Sequence, residues 1–222
     1  MSAIGLTNPK SRKRPPELRE GYDSCILDLK VVVGHRYRKH GEPGQYVLSY
    51  EGQLLSGPDY HVPIGDMSMY VADLKAASDA GTSPLDVLDG VDSSLAHFCE
   101  LLTPRTGWFR PALERYTGVE LCRLLVLGRL SIKQPYRGHG LGLQAIRLAC
   151  EGIGQGCELA ALKAFPVQWE GRVDEGPARF ARDRAKLVRY YRRAGFKPII
   201  GEGLMVSALP LNTTVTYPYE EA

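Results

Sequence analysis

The chain has 222 residues, 44% of them apolar and 24% charged, with a formal net charge of +3. This length accommodates one domain with a tail, the composition excludes a globally disordered chain, and the small net charge excludes polyanion binding through bulk charge alone. The five cysteines, Cys25, Cys99, Cys122, Cys150 and Cys157, are scattered, with no CxxC pair and no histidine at zinc-ligand spacing, so buried reduced thiols and no metal site are expected.

Residues 1–20 carry the basic run Lys10 to Arg14 with no apolar stretch behind it, and read as a disordered basic tail. No window in the chain approaches the ~18 consecutive apolar residues of a membrane span, so a cytoplasmic protein with no membrane partner is expected. CILDLKVVV, from Cys25, predicts the first strand. The stretch from His35 to His40, with Arg-Tyr-Arg-Lys between, reads as an exposed basic turn. QYVLSYEGQLL predicts a strand or hairpin, and Met67 to Leu74 a third strand.

Ser83-Pro84 then opens a helical region in which Val87, Leu88, Val91, Leu95, Phe98, Leu101 and Leu102 recur at helical spacing, divided by Gly90. WFRPALERY stays ambiguous. Glu120 to Ile132, long and largely apolar, predicts a strand buried on both faces. Leu141 to Gly152 predicts a helix, CELAALKAF a second buried strand, and Pro177 to Ala194 a helix ending at Gly195. FKPII and GLMVSAL predict two short closing strands.

The join between the long strand and the helix after it reads QPYRGHGLG, Gln134 to Gly142. A strand, a glycine-rich turn and a helix start suit phosphate, because the first amides of a helix lack partners and the helix dipole is positive there. Gly138, Gly140 and Gly142 leave such amides uncovered, and Arg137 adds a charge-assisted donor. The loop is neither a dinucleotide fingerprint, which needs glycine at Leu143, nor a P-loop.

RGHGLG resembles the R/Q-x-x-G-x-G/A signature that follows the fourth strand in the GNAT superfamily of N-acetyltransferases. YYRRAGF, Tyr190 to Phe196, resembles that family's C-terminal Y-x-x-x-G-F motif, and the likeness covers Glu120 to Leu209. It implies an α/β fold with a mixed, mostly antiparallel sheet flanked by helices, and acetyl-CoA as cofactor. A single domain over 21–222 follows, with 21–119 as an atypical acceptor-side half and 120–209 as the coenzyme A half. The resemblance assigns Arg137, Gly138, His139, Gly140, Leu141 and Gly142 to the pyrophosphate. Leu130 and Ile132 fall where backbone groups hold the pantetheine arm, on a strand the family splays from the next. Tyr191 takes the place of the proton donor to the departing thiolate.

The match departs from the family in three places. Arg184 stands where the family often has asparagine or serine, Val126 where some members keep a carboxylate base, and two additional strands are read before the main helical region. Glu120, Glu158, Glu170 and His61 are candidate substitutes for the base, with a water relay as an alternative. On the last helix Arg179, Arg182, Lys186, Arg189 and Arg193 share one side, while Ala181, Ala185, Leu187, Val188 and Tyr191 are expected to face the sheet.

The expected activity is transfer of acetyl from acetyl-CoA to a primary amine by direct attack in a ternary complex, with a small-molecule or peptide acceptor. Two alternatives stay open: a non-catalytic acyl-CoA-binding module, and a toxin-type enzyme acting on the RNA-bearing acceptor aminoacyl-tRNA. A homodimer is the commonest assembly for such a protein.

Overall fold

The structure, a computed structural model, describes residues 25–32, 42–91, 93–169, 171, 176–200 and 203–210. The basic tail, the His35 to His40 turn and Glu170 lie outside the described residues. Seven strands form one sheet: β1 Cys25–Val32, β2 Val47–Ser56, β3 Val62–Asp73, β4 Arg123–Ile132, β5 Leu159–Lys163, β6 Lys197–Ile200 and β7 Leu204–Ala208, in the order β1-β2-β3-β4-β5-β7-β6. Every neighbouring pair is antiparallel except β4 and β5. The fold is thus the mixed, mostly antiparallel α/β architecture expected from the sequence.

Period-two alternation along the central strands divides the core into two layers. Leu124 and Val126 of β4, Leu159 and Ala161 of β5, and Leu204 and Val206 of β7 point to one face. Leu125, Leu127, Ala160, Leu162 and Met205 point to the other. The first face is covered by the segment between β3 and β4: α1 Leu74–Asp79, α2 Pro84–Asp89, α3 Ser93–Ala96, a 3-10 turn over His97–Leu101, and α4 Pro111–Thr117. Leu74, Val87, Leu88, Leu95, Phe98 and Leu113 are buried there. Each fully buried apolar side chain of this size stabilises by about 1.5–3 kcal/mol, which is what holds such short helices in place.

The opposite face carries α5 Leu141–Glu151, through Leu141, Ala145, Ile146 and Ala149, and α6 Pro177–Arg192. The main differences from sequence expectation lie in the helices. The ambiguous WFRPALERY holds all of α4 but its last residue, and the helix is opened by Pro111 and closed at Gly118 in the left-handed conformation. The apolar run from Met67 to Leu74 is the second half of a longer strand that starts at Val62 and ends at Asp73, whose carboxylate accepts from the Ala76 amide and starts α1.

On α6 the basic residues are exposed as expected, but Ala181 and Ala185 are exposed too. The face toward the sheet is centred on Arg184, Leu187, Val188 and Tyr191, and at 100° per residue each of these alanines is rotated off that stripe. Among the cysteines, Cys25, Cys122 and Cys157 are buried and Cys99 and Cys150 are half-buried, all with free thiols. No described helix is long and apolar enough to cross a membrane.

Candidate functional site

The register between β3 and β4 slips between Ser68 and Met69, which leaves Gly128 as an extra residue on β4. A β-carbon there would lie 3.0 Å from the Tyr70 ring and 3.2 Å from the Ser68 hydroxyl, so the bulge falls where only glycine fits without displacing neighbours. β5 pairs with β4 only from Leu124 to Leu127. Beyond that point β4 keeps β3 on one edge and has no described strand on the other.

The Lys133 amide donates to the Ile64 carbonyl, on the β3 side, at 2.8 Å. Backbone direction alternates along a strand, so the main-chain groups of Ile132 and Leu130 face the open edge. The Ile132 carbonyl accepts from Arg137 Nε at 2.6 Å on that side. Strand amides of β4 next to the glycine loop therefore face an edge that no described strand covers.

In the loop, Gly138 and Gly140 have φ of 91° and 82°. A β-carbon at either would meet nothing within 4 Å, so backbone conformation, and not crowding, requires glycine there. Gly142 differs: its β-carbon would come within 2.7 Å of the Tyr190 phenol oxygen, which lies over the first turn of α5. The amides of Gly138, His139, Gly140, Leu141 and Gly142 have no acceptor among the described residues. β1 fixes this turn in place, since the Cys25 amide donates to Gln144 Oε1 at 3.2 Å and its thiol points at the Leu141 carbonyl.

A cavity of about 810 Å³ opens over the loop. Arg137, His139, Lys186 and Arg193 line it, and no described carboxylate does. A second cavity, about 470 Å³, lies where β4 and β5 part. It is lined by Phe98 from one face of the sheet and Ile146 from the other, so the gap between the strands connects the two layers. Leu130 and Tyr191 line both cavities and mark their junction.

Tyr191 is half-buried, and its hydroxyl has no hydrogen-bond partner among the described residues. Burial, with a smaller contribution from the Tyr190 phenol, pushes its pKa up to about 12. Burial also raises Tyr190, opposed by the nearby Leu143 amide and the Arg193 charge. Burial likewise raises all five thiols, and none lines either cavity, so no cysteine is placed to carry an acyl group.

All of Leu130, Ile132, Arg137, Gly138, His139, Gly140, Leu141, Gly142 and Tyr191 line the larger cavity. Val126 is fully buried. Glu120 and His61 are exposed away from both cavities, and Glu158 accepts from the Arg123 amide at 2.9 Å at the far end of β4. Arg184 is stacked over the Phe180 ring at 5.3 Å and lines neither cavity. Sequence reasoning missed His97, which lies at the rim of the smaller cavity with Ser93. Nothing local signals it, because His97 follows a short helix that reaches the site only through the packing of Leu95 and Phe98.

No protein-family model matches the chain, and no curated protein matches it. Among solved structures, the chain is similar to a tyrosine-to-phenylalanine mutant of KacT, at 13% identity and a TM-score of 0.38, over 82% of this chain and 94% of that one. The candidate site therefore stands on its own residues and geometry.

Proposed function

We propose that the protein is a GNAT-type N-acetyltransferase. The observation that carries the reading is the meeting, at Leu130 and Tyr191, of an anion-suited cavity and a second cavity at the parting of β4 and β5. The residues fit acetyl-CoA. Five unpartnered amides and four basic or imidazole side chains suit a diphosphate, and the open edge of β4 offers an extended arm main-chain partners.

Acetyl-CoA would supply the acetyl group as an activated thioester. The loop amides from Gly138 to Gly142 and the Arg137, Lys186 and Arg193 side chains would hold the phosphates, and the Leu130 and Ile132 backbone would orient the arm. An open-edge amide of β4 past the bulge would donate to the oxygen that gains charge during attack. Tyr191, protonated at neutral pH, donates toward the departing sulfur. His97, at the rim of the smaller cavity, is the residue this reading assigns to take the proton of an attacking amine.

The test has two parts. Thermal denaturation with acetyl-CoA, CoA, NAD and ATP should show stabilisation by the CoA compounds alone. Acetyl consumption should then be followed across an amine panel. Stabilisation by NAD or ATP, or none by CoA, refutes the reading. CoA binding without transfer to any amine favours a non-catalytic binding module, for which the exposed and unsupported His97 is the relevant observation.

A further inference from the structure

The smaller cavity carries positive charge that the transfer chemistry above does not use. Lys163, the last residue of β5, is half-buried beside Leu162 and Phe165, and Arg129 follows the bulge on β4. Neither side chain makes a salt bridge or hydrogen bond among the described residues. No described aspartate or glutamate lines the cavity. Arg129 is exposed and Lys163 half-buried, and a cation with no described counter-ion is open to pairing with an entering anion. An anion entering the cavity would meet two charge-assisted donors, and a second cation would be repelled.

The remaining lining is largely apolar, with Met67, Phe98, Leu127, Ile146 and Val167 facing the space. Its volume of about 470 Å³ suits a small molecule and not a polymer segment. The same two cations act on the reacting amine, since a nearby positive charge disfavours the ammonium form and so favours the nucleophilic free base.

We propose that the acceptor is a small primary amine with an apolar body and an anionic group, carboxylate or phosphate, gripped by Arg129 and Lys163 at the parting of β4 and β5. The proposal rests on the acetyltransferase reading for the amine, but the anion grip can be measured without turnover. The chemistry balances simply: the amine nitrogen bonds to the acetyl carbon, the carbon–sulfur bond breaks, the amine proton leaves to His97, and CoA departs as a thiolate that accepts a hydrogen bond from Tyr191 and takes its proton from water.

The experiment is calorimetric titration of the full chain, with CoA present, using matched compounds. Valine, leucine and phenylalanine are compared with their carboxamides, tyramine phosphate with tyramine, and 1,5-diaminopentane represents cations. The anionic member of the pairs should bind about tenfold tighter or more, the scale expected for one charge-assisted contact. Arg129→Gln and Lys163→Gln should each shrink that preference, and the second variant carries the test if the first fails to fold. Lys75→Gln, on the exposed α1 pair with Asp79 at 2.9 Å, should leave it intact.

Preference in the carboxylate pairs alone assigns a carboxylate acceptor, and in the phosphate pair alone a phosphate acceptor. Equal affinities, tighter binding of the diamine, an unchanged preference in both variants, or no binding by any acid overturns the proposal. So does acetylation of aminoacyl-tRNA with no binding of the small acids. Acid-selective binding without acetyl transfer would retain this inference and refute the acetyltransferase reading. Transfer to neutral or cationic amines without selectivity would do the reverse.

Discussion

Tyr191→Phe removes one oxygen atom at the junction of the two cavities and leaves the ring. That oxygen has no hydrogen-bond partner among the described residues, so its loss breaks no described hydrogen bond. The melting temperature should be unchanged or slightly raised. The catalytic effect follows from the pKa. A phenol moved from about 10 to about 12 holds its proton more tightly by about 2–3 kcal/mol. A thiol of pKa about 8.5 in water is the stronger acid, so full transfer from Tyr191 to sulfur is uphill unless the thiolate is desolvated too. On the proposed reading, Tyr191 acts chiefly as a hydrogen-bond donor to developing negative charge, worth about 1.5–3 kcal/mol. The expected loss in kcat is therefore about 10- to 150-fold, at the lower end of the range for general acid catalysis. Steady-state kinetics with saturating acetyl-CoA, with CoA affinity measured separately by titration, checks this. CoA affinity should stay within about twofold. A kcat within about threefold of the parent, or a fall that tracks loss of folded protein, would refute the assignment.

The same raised pKa sets a pH expectation. Because the folded value exceeds the unfolded one, the stabilisation from keeping Tyr191 neutral is complete below about pH 10 and is lost as pH rises toward about 12; turnover should accordingly show no alkaline decline through pH 10 that Tyr191→Phe abolishes. Gly140→Ala places a side chain at a φ of 82° in open space, so it should cost about 1–2 kcal/mol of backbone strain and re-aim the loop amides, weakening CoA binding about tenfold in calorimetry. Gly65→Ala would drive a β-carbon into the Ser131 carbonyl on the paired strand β4, and chemical denaturation should show a loss of about 1–3 kcal/mol. Lys186→Gln with Arg193→Gln should raise the KM for acetyl-CoA with little change in kcat, and should flatten its dependence on salt concentration.

The glycine loop is legible in the sequence because its causes are local. Positive φ at Gly138 and Gly140 and the start of a helix at Leu141 depend on a handful of neighbouring residues, and glycine spacing records them. The buried strands are legible for the same reason, since an unbroken apolar run such as Leu124 to Leu127 marks a strand covered on both faces. Six-residue α1 and seven-residue α4 are not, because helices so short draw their stability from the sheet they cover and leave little periodicity to read. The inner stripe of α6 is misread at Ala181 and Ala185, since alanine favours helix whichever way it faces.

By itself, then, the sequence determined the glycine loop, the main strands and the two longer helices, and the tyrosine that follows in the last helix. What only the tertiary structure decided is the convergence of distant elements: the parting of β4 from β5 after Leu127, the bulge at Gly128, and the delivery of His97, Arg129 and Lys163 to one cavity. These three side chains come from a 3-10 turn, a strand past its bulge and the end of another strand, and nothing in their immediate neighbours along the chain marks them as a group. They meet because the apolar faces around them can be buried only by packing segments far apart in sequence against one sheet, and that long-range burial leaves no local pattern to read.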